Sequence, residues 1–202
     1  MKHLYLASSI GTPGVAESIR AKLGGNKPLK TAFITTTVEI PSEQEYLDPW
    51  YEDDRKAFRA AGFDFFDYTI TAKSEKEIRK DLYSIEALFI SGGNAFYLKQ
   101  ESNKCNFDKY VRDFVGTGKP YIGCSSGSMI MGTDMSPGRN ILETSDLDDP
   151  QNFDVTGFGI IDFLVLPHWG SNDFREPYMN GSFEHIYHEN NKFGCYGWQY
   201  HP

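Results

Sequence analysis

The sequence is poor in three things, and each shortage excludes a class of protein. Cysteine is the first: the 202 residues include only Cys105, Cys124 and Cys195. An odd number of distant cysteines with no metal-type spacing excludes a disulfide framework and is expected of reduced thiols in the cytoplasm. Positive charge is the second, with 20 Lys and Arg against 28 Asp and Glu, a net charge of -8 and a pI near 5.1. Nucleic-acid affinity rests on phosphate neutralisation, so no nucleic-acid partner is expected. The same balance excludes a polybasic membrane patch. The third shortage is long apolar runs. None approaches the roughly 20 residues of a membrane span, and Met1-Lys2-His3 leads into a short apolar stretch without a signal-peptide layout. No membrane partner is expected.

What is present is ordinary globular usage, 40% hydrophobic and 24% charged, with a high aromatic fraction of 15%. The length suits a single domain over residues 1–202, large enough to bury a core without cross-links. No repeat, low-complexity tract or linker interrupts it.

Hydrophobic periodicity alternates along the first 124 residues. Short apolar or β-branched runs at 3–7, 31–36, 63–68, 86–91 and 120–124 predict strands. Helical spacing covers 15–23 and 107–117. Ser42 with Glu45, and Ser74 with Glu77, carry the capping-box pattern, predicting helices from Ser42 to about Ala61 and after Ser74. Strands alternating with helices predict a doubly wound parallel α/β sheet with helices on both faces. Beyond Thr133 an acidic loop runs to Asp154, a strand is expected at Phe163–Leu166, and Gly181–Asn191 reads as a helix.

Open parallel sheets bind ligands at the carboxyl ends of their strands, and three informative segments fall there. Gly123-Cys124-Ser125-Ser126-Gly127 is a Gly-x-Ser-x-Gly turn between a strand and a helix from Ser126 to about Gly132. Such a turn lifts a serine hydroxyl above the sheet, while the helix start aims amide hydrogens at a developing negative charge. Ser91-Gly92-Gly93-Asn94 follows the fourth strand. Its glycines let backbone approach a ligand, and Gly93 N–H with Ser126 N–H would form an oxyanion hole. The alternative for Asn94 is a helix N-cap. Pro167-His168 ends the late strand, where a histidine can act as general base toward a serine. His185 and His188 read as a surface pair on a helix. A carboxylate to orient the base is to be sought among Asp134, Glu143, Asp146, Asp148, Asp149, Asp154 and Asp162. Cys124 is expected to pack inward as an inert thiol.

Gly92-Gly93-Asn94, Ser125 in its Gly-x-Ser-x-Gly turn, and Pro167-His168, in that order on a short α/β chain, resemble the peptidase E family of serine peptidases. The resemblance runs from the first strand to about His188. It implies a three-layer fold like that of class I glutamine amidotransferases, with Ser125 as nucleophile, His168 as base, and Gly93 and Ser126 amides as oxyanion hole. It points to Asp146, in Glu143-Thr144-Ser145-Asp146 and 22 residues before His168, as the third member. The expected reaction is hydrolysis of a short peptide, with N-terminal Asp as the family preference, by a monomer or homodimer. No metal or organic cofactor is implied. Asn94, Arg175 and Trp169 are the expected substrate contacts. Two departures bear on specificity. The family's arginine beyond the catalytic histidine has no counterpart in Met179-Asn180-Gly181-Ser182-Phe183, leaving Arg175 as substitute, and the chain ends at Trp198-Gln199-Tyr200-His201-Pro202 rather than in the family's late strand. The abundant aromatics near His168 favour an apolar or mixed first residue. The rival readings are an α/β-hydrolase esterase and an inactive peptide-binding relative.

Overall fold

The structure, a computed structural model, describes residues 1–25, 28–40, 49–182 and 193–197. At its centre lie five short strands: β1 (Leu4–Ala7), β2 (Lys30–Ile34), β3 (Asp64–Tyr68), β4 (Ala87–Ile90) and β5 (Tyr121–Cys124). All pair in parallel, in the order β1-β5-β4-β2-β3. Between and around them run α1 (Val15–Lys22), α2 (Trp50–Ala60), α3 (Glu75–Asp81), α4 (Ala95–Cys105) and α5 (Phe107–Gly116).

Side-chain alternation along the strands builds two cores. Ala32, Ile34, Leu88, Ile90 and Tyr121 face one side and pack with Ile78, Leu98, Phe107 and Val111 of α3, α4 and α5. Phe33, Phe89, Ile122 and Cys124 face the other and pack with Ala16 and Ile19 of α1 and Phe58 of α2. A sheet covered on both faces needs apolar residues at successive positions, which is why its strands read as continuous apolar runs. The result is the three-layer, doubly wound α/β fold that the alternation predicts.

Local signals set several boundaries as read. Ser74 caps α3, its Oγ accepting the Glu77 N–H at 3.3 Å while Glu77 Oε2 accepts the Ser74 N–H at 2.9 Å. Others differ. Helix α2 starts at Trp50, and the cap expected at Ser42 lies outside the described residues. Helix α4 is absent from the periodicity because Lys99 to Lys104 are all polar although Lys99, Glu101 and Ser102 are buried, so polarity does not mark its exposed face. After β5, α6 (Ser126–Met129) is a single turn that stops short of Gly132. The late strand, β6 (Leu164–Trp169), does not join the main sheet. It pairs in parallel with β7 (Phe193–Gly197) as a separate two-stranded sheet. A short helix, α7 (Arg175–Pro177), and a π-helical turn, Tyr178–Ser182, follow β6, while the helix expected over 181–191 falls largely outside the described residues.

Phe58 is fully buried, stacked on Phe63 at 3.9 Å between ring centroids and edge-on to Phe33 at 6.0 Å. Phe58→Ala is expected to lower unfolding free energy by about 3–5 kcal/mol in a urea melt. Ser74→Ala, which removes only the cap, is expected to cost about 1 kcal/mol in the same measurement.

Candidate active site

Strand order assembles the site. Because β5 lies between β1 and β4, Ser125 emerges at the carboxyl edge with Ser8-Ser9 on one flank and Ser91-Gly92-Gly93-Asn94 on the other. Ser125 sits at φ 47° and ψ -110°, a conformation a non-glycine residue rarely adopts. The turn holds it there. Its N–H donates to Ala7 O at 2.9 Å, and its carbonyl accepts from Ser128 and Met129 N–H at 2.8 and 2.9 Å. The flanking glycines are steric necessities: a Cβ on Gly127 would collide with the Ile90 carbonyl, and one on Gly123 would lie 2.5 Å from Gly127 O.

His168 meets this serine. Its Nε2 lies 3.1 Å from Ser125 Oγ. The histidine also has positive φ, 58°, and its carbonyl accepts the Ser171 N–H at 3.0 Å. Its own N–H donates to Ser8 Oγ at 3.0 Å, tying β6 to the end of β1. Its ring stacks on Phe174 at 4.7 Å and 18°. Burial lowers the imidazole pKa from its ordinary 6.5, and the negative charge of Asp173 works in the opposite direction. The ring is therefore neutral near pH 7, as a proton acceptor requires.

The two turns expected to hold an oxyanion are in contact. The Ser126 hydroxyl donates to the Gly93 carbonyl. Gly93 has φ 118°, and a Cβ there would collide with the Thr37 carbonyl. Among the described residues, the N–H groups of Gly93 and Ser126 donate to no backbone carbonyl.

The remaining expected residues divide. Asn94 is buried and occupied as the N-cap of α4: its Oδ1 accepts from Phe96 and Tyr97 N–H at 3.0 and 3.1 Å, and its Nδ2 donates to Glu143 O at 2.6 Å. The cap alternative describes it. Trp169 packs beside Tyr178, with ring centroids 5.7 Å apart, and Arg175 is exposed on α7. Asp146 lines a separate cavity of about 440 Å³ with Ile70, Thr71, Tyr97, Gln100 and Lys104. The carboxylate whose charge acts on His168 is Asp173, downstream of the histidine and outside the stretch searched in the sequence. Cys124 is buried and its thiol pKa is pushed well up, chiefly by burial, so it is no thiolate nucleophile. Among the described residues no group of three or more His, Cys, Asp or Glu is arranged to hold a metal, and no helix is long and apolar enough to cross a membrane. His185 and His188 lie outside the described residues.

Sequence reasoning missed Trp50 and Asp54. A Cβ on Gly92 would lie 3.2 Å from the Trp50 indole and 3.3 Å from Ser125 Cβ, so the half-exposed indole and the serine flank the same glycine. Asp54 is buried behind Cys124. It shares the apolar face of α2 with Phe58, and an acid on such a stripe was a readable signal.

Comparison with known proteins identifies the family. The model of peptidase family S51 matches residues 7–194. An uncharacterized peptidase of Pasteurella multocida is 30% identical over 178 residues, spanning 87% of this chain and 81% of that protein. The peptidase E of Shewanella amazonensis is 32% identical over 105 residues, 51% of this chain and 40% of its own length. A crystal structure from Listeria monocytogenes, described as a candidate peptidase E protein, superposes with a TM-score of 0.79 at 24% identity, covering 98% of this chain and 90% of that one.

If His168 acts as the proton acceptor, its neutral form is the reactive one, and burial holds its pKa below the ordinary 6.5. The rate of Ser125 labelling by a fluorophosphonate should therefore hold at neutral pH and fall through a midpoint below 6.5 as pH drops. Asp173→Asn removes a charge that raises this pKa, so the midpoint should move lower still. If Asp146 supports the base instead, the shift will follow Asp146→Asn.

Proposed function

The chain belongs to peptidase family S51, and from that membership we propose that it is a serine peptidase acting on short peptides with a free N-terminus. The observation that carries the reading is the 3.1 Å approach of His168 Nε2 to Ser125 Oγ at a strained strand-to-helix turn. Strain of this kind persists where surrounding structure over-determines it, which is characteristic of reacting residues.

His168 Nε2 accepts the Ser125 hydroxyl proton as Oγ bonds to the scissile carbonyl carbon. The oxyanion so formed takes hydrogen bonds from the N–H groups of Gly93 and Ser126. The C–N bond then breaks, His168 returns its proton to the departing amine, and water hydrolyses the acyl-enzyme to release Ser125. Apart from the peptide and the water it consumes, the reaction uses only side chains and amides of this chain.

The residues around the serine favour an apolar or mixed first residue over aspartate. The Trp50 indole borders Gly92 beside Ser125, Phe174 covers the His168 ring, and Trp169 follows it. Burying a substrate carboxylate needs a cation, and the candidate, Arg175, is exposed on α7. A cytoplasmic setting fits the buried free thiols of Cys105 and Cys124. The parallel pairing throughout the main sheet speaks against the esterase alternative, whose fold opens with antiparallel strands.

Ser125→Ala should abolish both fluorophosphonate labelling and dipeptide hydrolysis. In a panel varying the first residue, Phe-X and Leu-X should be cleaved ahead of Asp-X. Trp50→Ala should lower kcat/KM for Phe-X by about tenfold, the loss of roughly 1.4 kcal/mol of apolar contact, and leave Ala-X much less affected. Asp-X far ahead of the others would overturn the apolar preference while leaving the peptidase reading intact.

A further inference from the structure

Directly behind the Ser125–His168 pair lies a carboxylate that the reaction does not consume. Asp54, on the inner face of α2, is only 2% exposed. Among the described residues no cation pairs with it. Burial pushes its carboxyl pKa up, and hydrogen bonds from three neighbours pull the other way. Oδ1 accepts the Gly11 N–H at 2.6 Å and the Ser9 hydroxyl at 3.1 Å, and Oδ2 accepts the Cys124 thiol at 3.0 Å. The fit around Oδ1 is close, because a Cβ on Gly11 would sit 2.9 Å from it.

The partners of this carboxylate adjoin the reacting groups. Cys124 immediately precedes Ser125. Ser9 immediately follows Ser8, whose Oγ receives the backbone N–H of His168 at 3.0 Å. The contacts close a ring: Asp54 to Cys124, along the chain to Ser125, across 3.1 Å to His168, back to Ser8 and Ser9, and again to Asp54. Among the described residues, the two reacting residues in this ring are also two of the four non-glycine residues with positive φ.

We infer that Asp54 is a positioning residue, its carboxylate gripping Cys124, Ser9 and Gly11 so as to fix the end of β5 that bears Ser125 against the end of β1 that holds His168. The inference rests on the reading of Ser125 as nucleophile and His168 as base. It assigns Cys124 a purpose as well: the thiol is a hydrogen-bond donor to the carboxylate. A displacement of about 1 Å between nucleophile and base is enough to cost on the order of a hundredfold in rate. Loosening this ring therefore should act on the chemical step while leaving reagent binding nearly unchanged.

The test is the kinetics of fluorophosphonate labelling, separating the maximal rate from the reagent concentration giving half of it. Wild type, Asp54→Asn, Cys124→Ala and Cys124→Ser are compared, with Ser125→Ala as control and circular dichroism to confirm folding. Asp54→Asn is expected to lower the maximal rate at least tenfold with the half-saturating concentration within about twofold of wild type. Cys124→Ala is expected to lower the maximal rate severalfold, and Cys124→Ser, which restores a donor to Asp54, to recover most of that loss. A folded Asp54→Asn protein labelled within twofold of the wild-type rate overturns the inference. So does equal labelling of the Cys124→Ala and Cys124→Ser proteins, a comparison that decides the matter if Asp54→Asn fails to fold. Labelling that persists in Ser125→Ala, or is absent from wild type, removes the nucleophile assignment itself and the inference with it, an outcome distinct from both.

Discussion

Ser125 holds a backbone conformation, φ 47° and ψ -110°, that costs a residue with a side chain on the order of 1–3 kcal/mol. The contacts around it offset that cost. The Ser125 N–H is bound to β1 through Ala7, its carbonyl receives two amides of α6, and the hydroxyl of Ser128 bridges Ala7 and Gly123 at 2.8 Å to each carbonyl. The turn closes only because two glycines lie face to face, Gly123 under Gly127, with Gly127 in turn against the backbone of β4. Sheet, turn and helix start are thus fixed by one tight approach. The hydroxyl is left half-buried at the sheet edge, where His168 reaches it.

The site depends equally on an order of strands that sequence does not contain. Residues 8–9, 91–94 and 124–126 are far apart along the chain, and each reads locally as the end of an apolar run. Placing β5 between β1 and β4 makes them neighbours. The fourth segment, Pro167-His168, arrives by another route. Strand β6 packs outside the main sheet and is attached through the His168 N–H to Ser8, with Tyr178 donating to Pro167 O at 2.9 Å from behind. The expectation of a strand end next to the serine was met in space by a strand of a different sheet.

Where sequence reading succeeded, the signal was local. Strand ends were punctuated by Gly or Ser, the Ser74 capping box lies within four residues, and the Gly-x-Ser-x-Gly turn specifies its own geometry. Where it fell short, the determinant was tertiary. Helix α4 buries Lys99, Glu101 and Ser102 along with its apolar residues, so its polarity no longer follows its buried face. Trp50 became part of the surroundings of Ser125 only once α2 docked over the sheet edge. The carboxylate expected to act on His168 was sought upstream, in the acidic loop, whereas the charge that bears on the imidazole is that of Asp173, just beyond the close turn that follows His168. A spacing argument cannot see such a turn, because the turn is set by the positive φ of His168 and Gly170.

The contrast between Cys124 and Ser125 shows why adjacent nucleophilic side chains are not interchangeable. Successive residues of a strand point to opposite faces, so Cys124 turns into the core shared with Phe33, Phe58 and Ile122. There, burial and the nearby Asp54 carboxylate both oppose thiolate formation, which removes the feature that makes cysteine the more reactive atom in water. Ser125, one residue on, leaves the strand by its positive φ and meets the imidazole of His168. The hydroxyl, intrinsically less nucleophilic than a thiolate, is thereby the side chain placed beside an imidazole. The thiol's remaining capacity is to donate a weak hydrogen bond, and it does so to Asp54, a buried acid tied to the segments that carry serine and histidine.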